Sequence, residues 1–196
     1  MIETGGFLAS LPPPLVKDKT YRDASPFVRK YAEIIIACAA GRKILDVGCG
    51  SGRNAFFLAR LGGAMICLDK DLSRFDRNPN HQRAILIGSA TRLKRQRIDL
   101  LNDPWPFAPS SIGGIINVHC LLPSLFHAFA ISLVPQAYLL LETVSGQGEN
   151  YLELPHQGEL RAALEPTFEL AIYEERQTGP DDHRAVAVKV LARRKS

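Results

Sequence analysis

The stretch Lys43-Ile44-Leu45-Asp46-Val47-Gly48-Cys49-Gly50-Ser51-Gly52-Arg53 runs from an apolar segment through an acid into three glycines at alternate positions. A parallel strand buried on both faces reads as a short apolar run, and glycines follow where the backbone must turn with positive φ and approach a ligand closely. Beyond the turn, Phe56, Phe57, Leu58 and Leu61 stand at helical spacing, so the loop delivers a helix N-terminus to whatever binds there. Strand, glycine turn and helix in this order make a loop for a nucleotide-type cofactor.

Two readings of these glycines compete. Gly50-x-Gly52-x-x-Ala55 satisfies a permissive dinucleotide fingerprint, whereas the pattern started at Gly48 fails because Arg53 stands where the third glycine belongs. Asp46 separates the readings: a carboxylate two residues before Gly48 repels an approaching pyrophosphate and suits a cationic ligand. Asp69 ends a second apolar run, Ala64 to Asp69, at the distance expected of the acid that accepts the ribose hydroxyl hydrogens. NAD enzymes also place an acid there, so Asp69 fixes the ribose and not the cofactor. A carboxylate ending a buried strand carries a desolvation cost unless a partner compensates it, which marks Asp46 and Asp69 as functional.

The pattern Asp46-x-Gly48-x-Gly50-x-Gly52 resembles motif I of class I S-adenosylmethionine-dependent methyltransferases, whose cofactor carries a sulfonium and an amino group in place of phosphates. Ser25-Pro26-Phe27-Val28, Gly52-Arg53-Asn54, Asn150-Tyr151-Leu152-Glu153-Leu154-Pro155 and Gly158-Glu159-Leu160 are similar to small bacterial methyltransferases of the tellurite-resistance type. The resemblance spans residues 20 to 193. It implies an α/β fold, Rossmann-like and doubly wound, with a mainly parallel seven-stranded sheet and an antiparallel C-terminal hairpin. It also implies S-adenosylmethionine as cofactor, held by Asp46, Gly48, Cys49, Gly50, Gly52, Asn54, Asp69, Lys70, Asp99, Leu100 and Asn117. Asp99, with Pro104-Trp105-Pro106-Phe107 after it, matches the family's acid near the adenine and its aromatic-proline stretch. The acceptor it brings in is a small molecule, with a thiol or a chalcogen oxyanion among the choices. The chain departs from the family at Ser111-Ile112-Gly113-Gly114, where an Asp usually precedes the fourth strand.

The rest of the chain alternates in the same sense. Ser25 can cap a helix with Pro26 in its first turn, running to about Ala40 before Gly41. Strands are expected near 43–48, 64–69, 95–99, 114–119 and 136–143, with helices near 53–61 and 121–133, an alternation that builds a parallel sheet covered on both faces. Ala84-Ile85-Leu86-Ile87 suits a strand or a helical turn; the later stretch is preferred as third strand because it leads into Asp99. Phe168 to Tyr173 and Ala185 to Leu191 alternate around the turn-forming Thr178 to Asp182, as a hairpin does. Residues 1–20, with Pro12-Pro13-Pro14, read as a flexible or extended arm, and 21–196 as one methyltransferase domain.

Composition bounds the partners. The 196 residues suffice for one domain with a substantial core, and the net charge of +4 is modest. The basic clusters Arg92 to Arg97 and Arg193-Arg194-Lys195 read as solvated surface, not as the broad face that duplex binding needs. Cys38, Cys49, Cys67 and Cys120 frame no metal site and read as small buried hydrophobes of a reducing compartment. With no basic leader and no long apolar segment, the expectation is a cytoplasmic monomer or homodimer without membrane attachment.

Ligands of open parallel sheets lie beyond the carboxyl ends of the strands, which puts Asn117, His119 and Glu142 near the acceptor. His119 and Glu142 are candidate proton acceptors, although the commoner reading of His119 is a hydrogen-bonded crevice residue and that of Glu142 a cap or anchor for the loop Ser145 to Gly148. Arg53 either attracts an anionic acceptor or is solvated at the helix start. The resemblance implies a lid at Tyr21 and Arg22, whose other reading is packing on the first helix. Three alternatives remain: an NAD(P)-dependent oxidoreductase, a catalytically inactive protein that binds S-adenosylmethionine for regulation, and an RNA methyltransferase, which the low aromatic content and the lack of a recognition domain disfavour.

Overall fold

Ser25 and Pro26 start the first helix as the sequence predicts. The Ser25 hydroxyl accepts the Phe27 N–H at 3.1 Å, capping α1 (Pro26–Ala39), which ends where Ala40 turns left-handed at φ 48°. The computed structural model describes residues 23–80, 89–143, 153–179 and 183–195. After α1 come β1 (Lys43–Val47), α2 (Arg53–Arg60), β2 (Ala64–Asp69), α3 (Ser73–Asp76), β3 (Leu93–Arg97) and β4 (Ile112–Val118). The chain continues through α4 (Phe126–Ser132), β5 (Leu133–Glu142), α5 (Glu159–Leu164), β6 (Phe168–Gln177) and β7 (Val186–Arg194).

These strands form a 7-stranded sheet in the order β3-β2-β1-β4-β5-β7-β6. The pairs from β3 through to β5 are parallel, while β7 runs antiparallel to both β5 and β6. The doubly wound sheet and its C-terminal hairpin are thus those expected. Strand order reverses between β1 and β4, which puts the ligand crevice at their carboxyl ends.

Alternation along β1 sorts the core into two layers. Ile44 faces the cluster built with Val28, Ile35 and Phe56 of α1 and α2, whereas Leu45 and Val47 face the cluster built with Phe129 of α4 and Leu164 of α5. Trp105, expected only as part of an aromatic-proline stretch, stacks near Phe107 and Phe129, with ring centroids 5.2 and 5.1 Å away. It anchors the segment after β3 to the second layer.

Several boundaries differ from those expected. The third strand ends at Arg97, so Asp99 stands in the turn beyond it and not at the strand end. The helix expected over 121–133 is a 3-10 turn at Pro123–Leu125 followed by α4. β5 starts early, at Leu133, and its register against β4 shifts between Ile112 and Gly114, an irregularity that accommodates Pro135 and the positive φ of 68° at Gln136. Cys38 is exposed on α1 and not buried, because it falls on the solvent side of a helix whose inner face carries Ile35 and Ala39. The arm of residues 1–20, Tyr21 and Arg22, Ala84 to Ile87 and the loop Ser145 to Gly148 lie outside the described residues. No helix among the described residues is long and apolar enough to cross a membrane.

Gly113 and Gly114, where the chain departs from the family pattern, have a packing cause. A Cβ on Gly113 would lie 2.8 Å from the Cα, Cβ and carbonyl oxygen of Ala39, and one on Gly114 would lie 3.3 Å from Ile35. The glycine pair lets the end of α1 approach β4 closely. Gly113→Ala is therefore expected to destabilise the fold by about 1–3 kcal/mol and Gly114→Ala by less, in urea unfolding followed by circular dichroism.

Candidate cofactor site

The turn after β1 is stapled to β2 by main-chain donors. The N–H groups of Gly48 and Cys49 donate to the Leu68 carbonyl at 2.9 and 3.0 Å, and the Gly50 N–H donates to Asp69 Oδ2 at 2.8 Å. Asp69 also accepts the Asp71 N–H on Oδ1 at 3.0 Å. Asp46 acts from beneath: Oδ2 accepts the N–H of Ala55 in the first turn of α2 at 3.2 Å. Gly52 at the N-cap has no side chain to cap α2, so the buried Asp46 supplies that acceptor from the neighbouring strand.

The glycines differ in what requires them. Gly48, Gly50 and Gly52 have φ of 69°, 54° and 74°, a region other residues enter at a cost. A Cβ on Gly48 would meet Cys120 at 2.4 Å and one on Gly52 would meet the Phe75 ring at 2.5 Å, but nothing lies within 4 Å of one on Gly50. Protein fills the space around the outer two glycines and leaves the central one open. Gly48→Ala and Gly52→Ala are expected to lower the thermal unfolding midpoint by more than Gly50→Ala does, the latter carrying only the backbone strain of about 1 kcal/mol.

A cavity of about 320 Å³ opens over this loop, lined by Gly48, Cys49, Gly50, Ser51, Arg53, Asn54, Arg74, Val118 and His119. His119 follows β4 with φ 61°, and its N–H donates to the Glu142 carbonyl at 2.7 Å. A non-glycine residue held in the left-handed region at a crevice is backbone strain of the kind found at functional sites. Glu142 at the end of β5 lies elsewhere: its carboxylate accepts the Ser25 hydroxyl and sits 3.8 Å from Lys189 Nζ. Arg53 donates to the Asp23 carbonyl at 3.1 Å, bringing the chain before α1 to the mouth.

Beyond β3, a second hollow of about 580 Å³ is lined by Lys70, Asp71, Arg97, Ile98, Asp99 and Asp103. Asp99 folds into its own turn, accepting from Asn102 Nδ2 at 2.9 Å and the Leu101 N–H at 3.1 Å. These bonds, led by that of Asn102, hold its carboxyl below the usual range. Leu100 packs against the second core layer. Asn117 lies inside the sheet, donating through Nδ2 to the Val47 carbonyl at 3.2 Å, while its buried Oδ1 has no partner among the described residues.

The structure thus brings Gly48, Cys49, Gly50, Asn54 and His119 around one cavity, with Gly52 and Asp69 shaping its loop. Lys70 and Asp99 line the second hollow, Leu100 stands beside it, and Asp46, Asn117 and Glu142 stand behind these surfaces. Arg74 and Val118 line the cavity without any signal in the sequence: Arg74 reaches it only because α3 folds back on Gly52 through Phe75. No group of residues that could hold a metal ion is found among the described residues.

Burial pushes the Asp46 carboxyl up to about 7, against the pull of the Ala55 N–H and Arg53. The thiols beside it are shifted the same way: Cys67 is raised by its bond with Cys49 and by burial, and Cys120 by burial. Because the folded state holds the Asp46 proton that the unfolded state has released, this group lowers stability as pH rises from about 4 to about 7. A cationic ligand favours the ionised carboxylate, so its binding releases a proton near neutrality. Calorimetry in buffers of different ionisation enthalpy should show this release with S-adenosylmethionine, and Asp46→Asn, which still accepts from Ala55, should diminish it.

Residues 16–87 match the family of the tellurite resistance protein TehB, a stretch that holds β1, the glycine loop, α2 and β2. No curated protein matches the chain significantly. Among solved structures, TehB from Haemophilus influenzae aligns with a TM-score of 0.66 at 17% identity over 90% of this chain and 64% of its own. A geranyl diphosphate C-methyltransferase from Streptomyces coelicolor A3(2), complexed with Mg²⁺, geranyl-S-thiolodiphosphate and S-adenosyl-L-homocysteine, aligns at 0.62 and 14% over 85% and 76%. The [4+2]-cyclase SpnF aligns at 0.61 and 16% over 85% and 80%. The chain has the fold of class I methyltransferases and is similar to the tellurite-resistance type. The cyclase among its neighbours means that the reaction must be argued from the site.

Proposed function

We propose that the chain transfers a methyl group from S-adenosylmethionine to a small-molecule acceptor. The observation that carries this reading is the open face of Gly50 between acids: Asp46 beneath the loop and Asp69 beside it suit a cationic nucleoside and oppose a diphosphate. The family match over the same residues and the neighbour crystallised with S-adenosyl-L-homocysteine support it. The orphaned Oδ1 of Asn117 is a further acceptor at the strand-order reversal.

Bound there, S-adenosylmethionine supplies an electrophilic methyl carbon. The Gly48–Gly52 loop holds the amino-acid end, Asp69 the ribose, and the hollow by Lys70, Asp99 and Leu100 the adenine. Val118 and His119 then face the acceptor. Most of the acceleration comes from holding acceptor, methyl carbon and sulfur in line, an effect worth about 7–11 kcal/mol. His119 stands where it can take a proton from an acceptor that arrives protonated; the bonding of Glu142 to Ser25 and Lys189 favours an anchoring role for that residue. The free buried thiols of Cys49 and Cys67 fit the reducing cytoplasm.

Mass spectrometry of ligand retained by the purified protein should find S-adenosylmethionine or S-adenosyl-L-homocysteine; a nicotinamide dinucleotide in its place would overturn the reading. In titration calorimetry both adenosyl ligands should bind at micromolar levels. Asp69→Asn keeps an acceptor for the Gly50 N–H but removes the charge, and should weaken both about tenfold or more, the loss of one charged hydrogen bond. Methyl transfer to some member of an acceptor panel separates the enzyme from an inactive binding protein.

A further inference from the structure

Ser25 joins the first turn of α2 to the end of β5. Its main-chain N–H donates to Asn54 Oδ1 at 2.9 Å, and its hydroxyl donates to Glu142 Oε2 while accepting the Phe27 N–H. Ser25 and Asn54 are 2% and 5% exposed, so these bonds are shielded from water and constrain both side chains. Lys189 faces the other oxygen of Glu142.

This network decides which way the Asn54 amide points. A main-chain N–H can only donate, so the Asn54 atom facing it is the carbonyl oxygen, and the NH₂ group is turned the other way. No described residue accepts from that NH₂, and Asn54 lines the cavity. The NH₂ group offers two donors and no acceptor. Asn54 stands in the first turn of α2, at its positive end, and the cavity is lined by Arg53 and Arg74 and by no carboxylate. The acids of the site lie on the sheet side of the loop. Charge is therefore segregated, with a corner for an anion at Asn54 and a place for cations towards Asp46 and Asp69.

We infer that the Asn54 NH₂ group binds the carboxylate at the amino-acid end of the cofactor, and that Ser25 and Glu142 are the residues that position it. The inference rests on the cofactor proposed above and adds the atom, the part of the ligand it holds and the residues that orient it. Glu142 then acts through Ser25 and carries no proton in the reaction.

The test compares S-adenosyl-L-homocysteine with 5′-methylthioadenosine, which lacks the amino-acid group, by titration calorimetry on the full chain. Asn54→Asp still accepts from Ser25 but sets a carboxylate against a carboxylate. It should raise the Kd for S-adenosyl-L-homocysteine at least tenfold and leave 5′-methylthioadenosine unchanged. Glu142→Ala should raise the ratio of the two Kd values in the same direction, and Glu142→Gln, whose amide oxygen accepts the Ser25 hydroxyl, should restore it. Equal weakening of both ligands, or no weakening of either, in Asn54→Asp overturns the carboxylate contact. If that variant fails to fold, Asn54→Ala is judged by the same ratio. Equal ratios in Glu142→Gln and Glu142→Ala overturn the positioning role. Failure of the unaltered protein to bind either ligand overturns the cofactor assignment itself.

Discussion

Everything at the crevice depends on how the main-chain N–H groups of the turn after β1 are accepted. The turn pairs its Gly52 N–H with its own Cys49 carbonyl at 2.8 Å, but the N–H groups of Gly48, Cys49 and Gly50 have to look outside it, and left unpaired in a buried place each would cost about 1–3 kcal/mol. Leu68 and Asp69, at the end of the adjacent strand, take the donors of Gly48, Cys49 and Gly50. Asp46, from the strand below, takes that of Ala55. The loop is thus fixed by two parallel strands, and the cavity above it is preformed.

This arrangement gives each acid two duties. Asp69 holds Gly50 on one oxygen while standing where a ribose is expected, and Asp46 caps α2 while setting the potential beneath the loop. The carboxyl of Asp46, pushed up to about 7 by burial, changes charge in the range where a cationic ligand would tip it towards ionisation. The cations Arg53 and Arg74 line the cavity, whereas neither acid does. A methyl transfer driven by alignment needs little more from the protein than such a rigid, charge-sorted floor.

The alternation of strands and helices and the covering of the sheet on both faces were legible because their causes are local. Apolar runs of strand length, Gly41 after a helix and a Ser-Pro start at residues 25–26 each act within a few residues. The same holds for the glycine loop and for Asp46 and Asp69. Boundaries were missed where pairing between strands competes with local preference, as in the early start of β5 around Pro135 and the end of β3 two residues short of Asp99. The exposure of Cys38 was missed because its neighbours in sequence are apolar although its own direction on α1 is outward.

Residue type and spacing alone determined the alternating α/β pattern and the glycine loop, since a strand, a turn and a helix are consecutive in the chain. Which groups meet across the crevice was decided only by the tertiary structure. Ser25, Asn54 and Glu142 are separated by up to 117 positions, and Arg74 reaches the cavity only through the packing of Phe75 on Gly52. Hydrogen bonds between such distant residues leave no periodic trace, because their geometry comes from the stacking of whole elements on the sheet and not from the local conformation of any one of them.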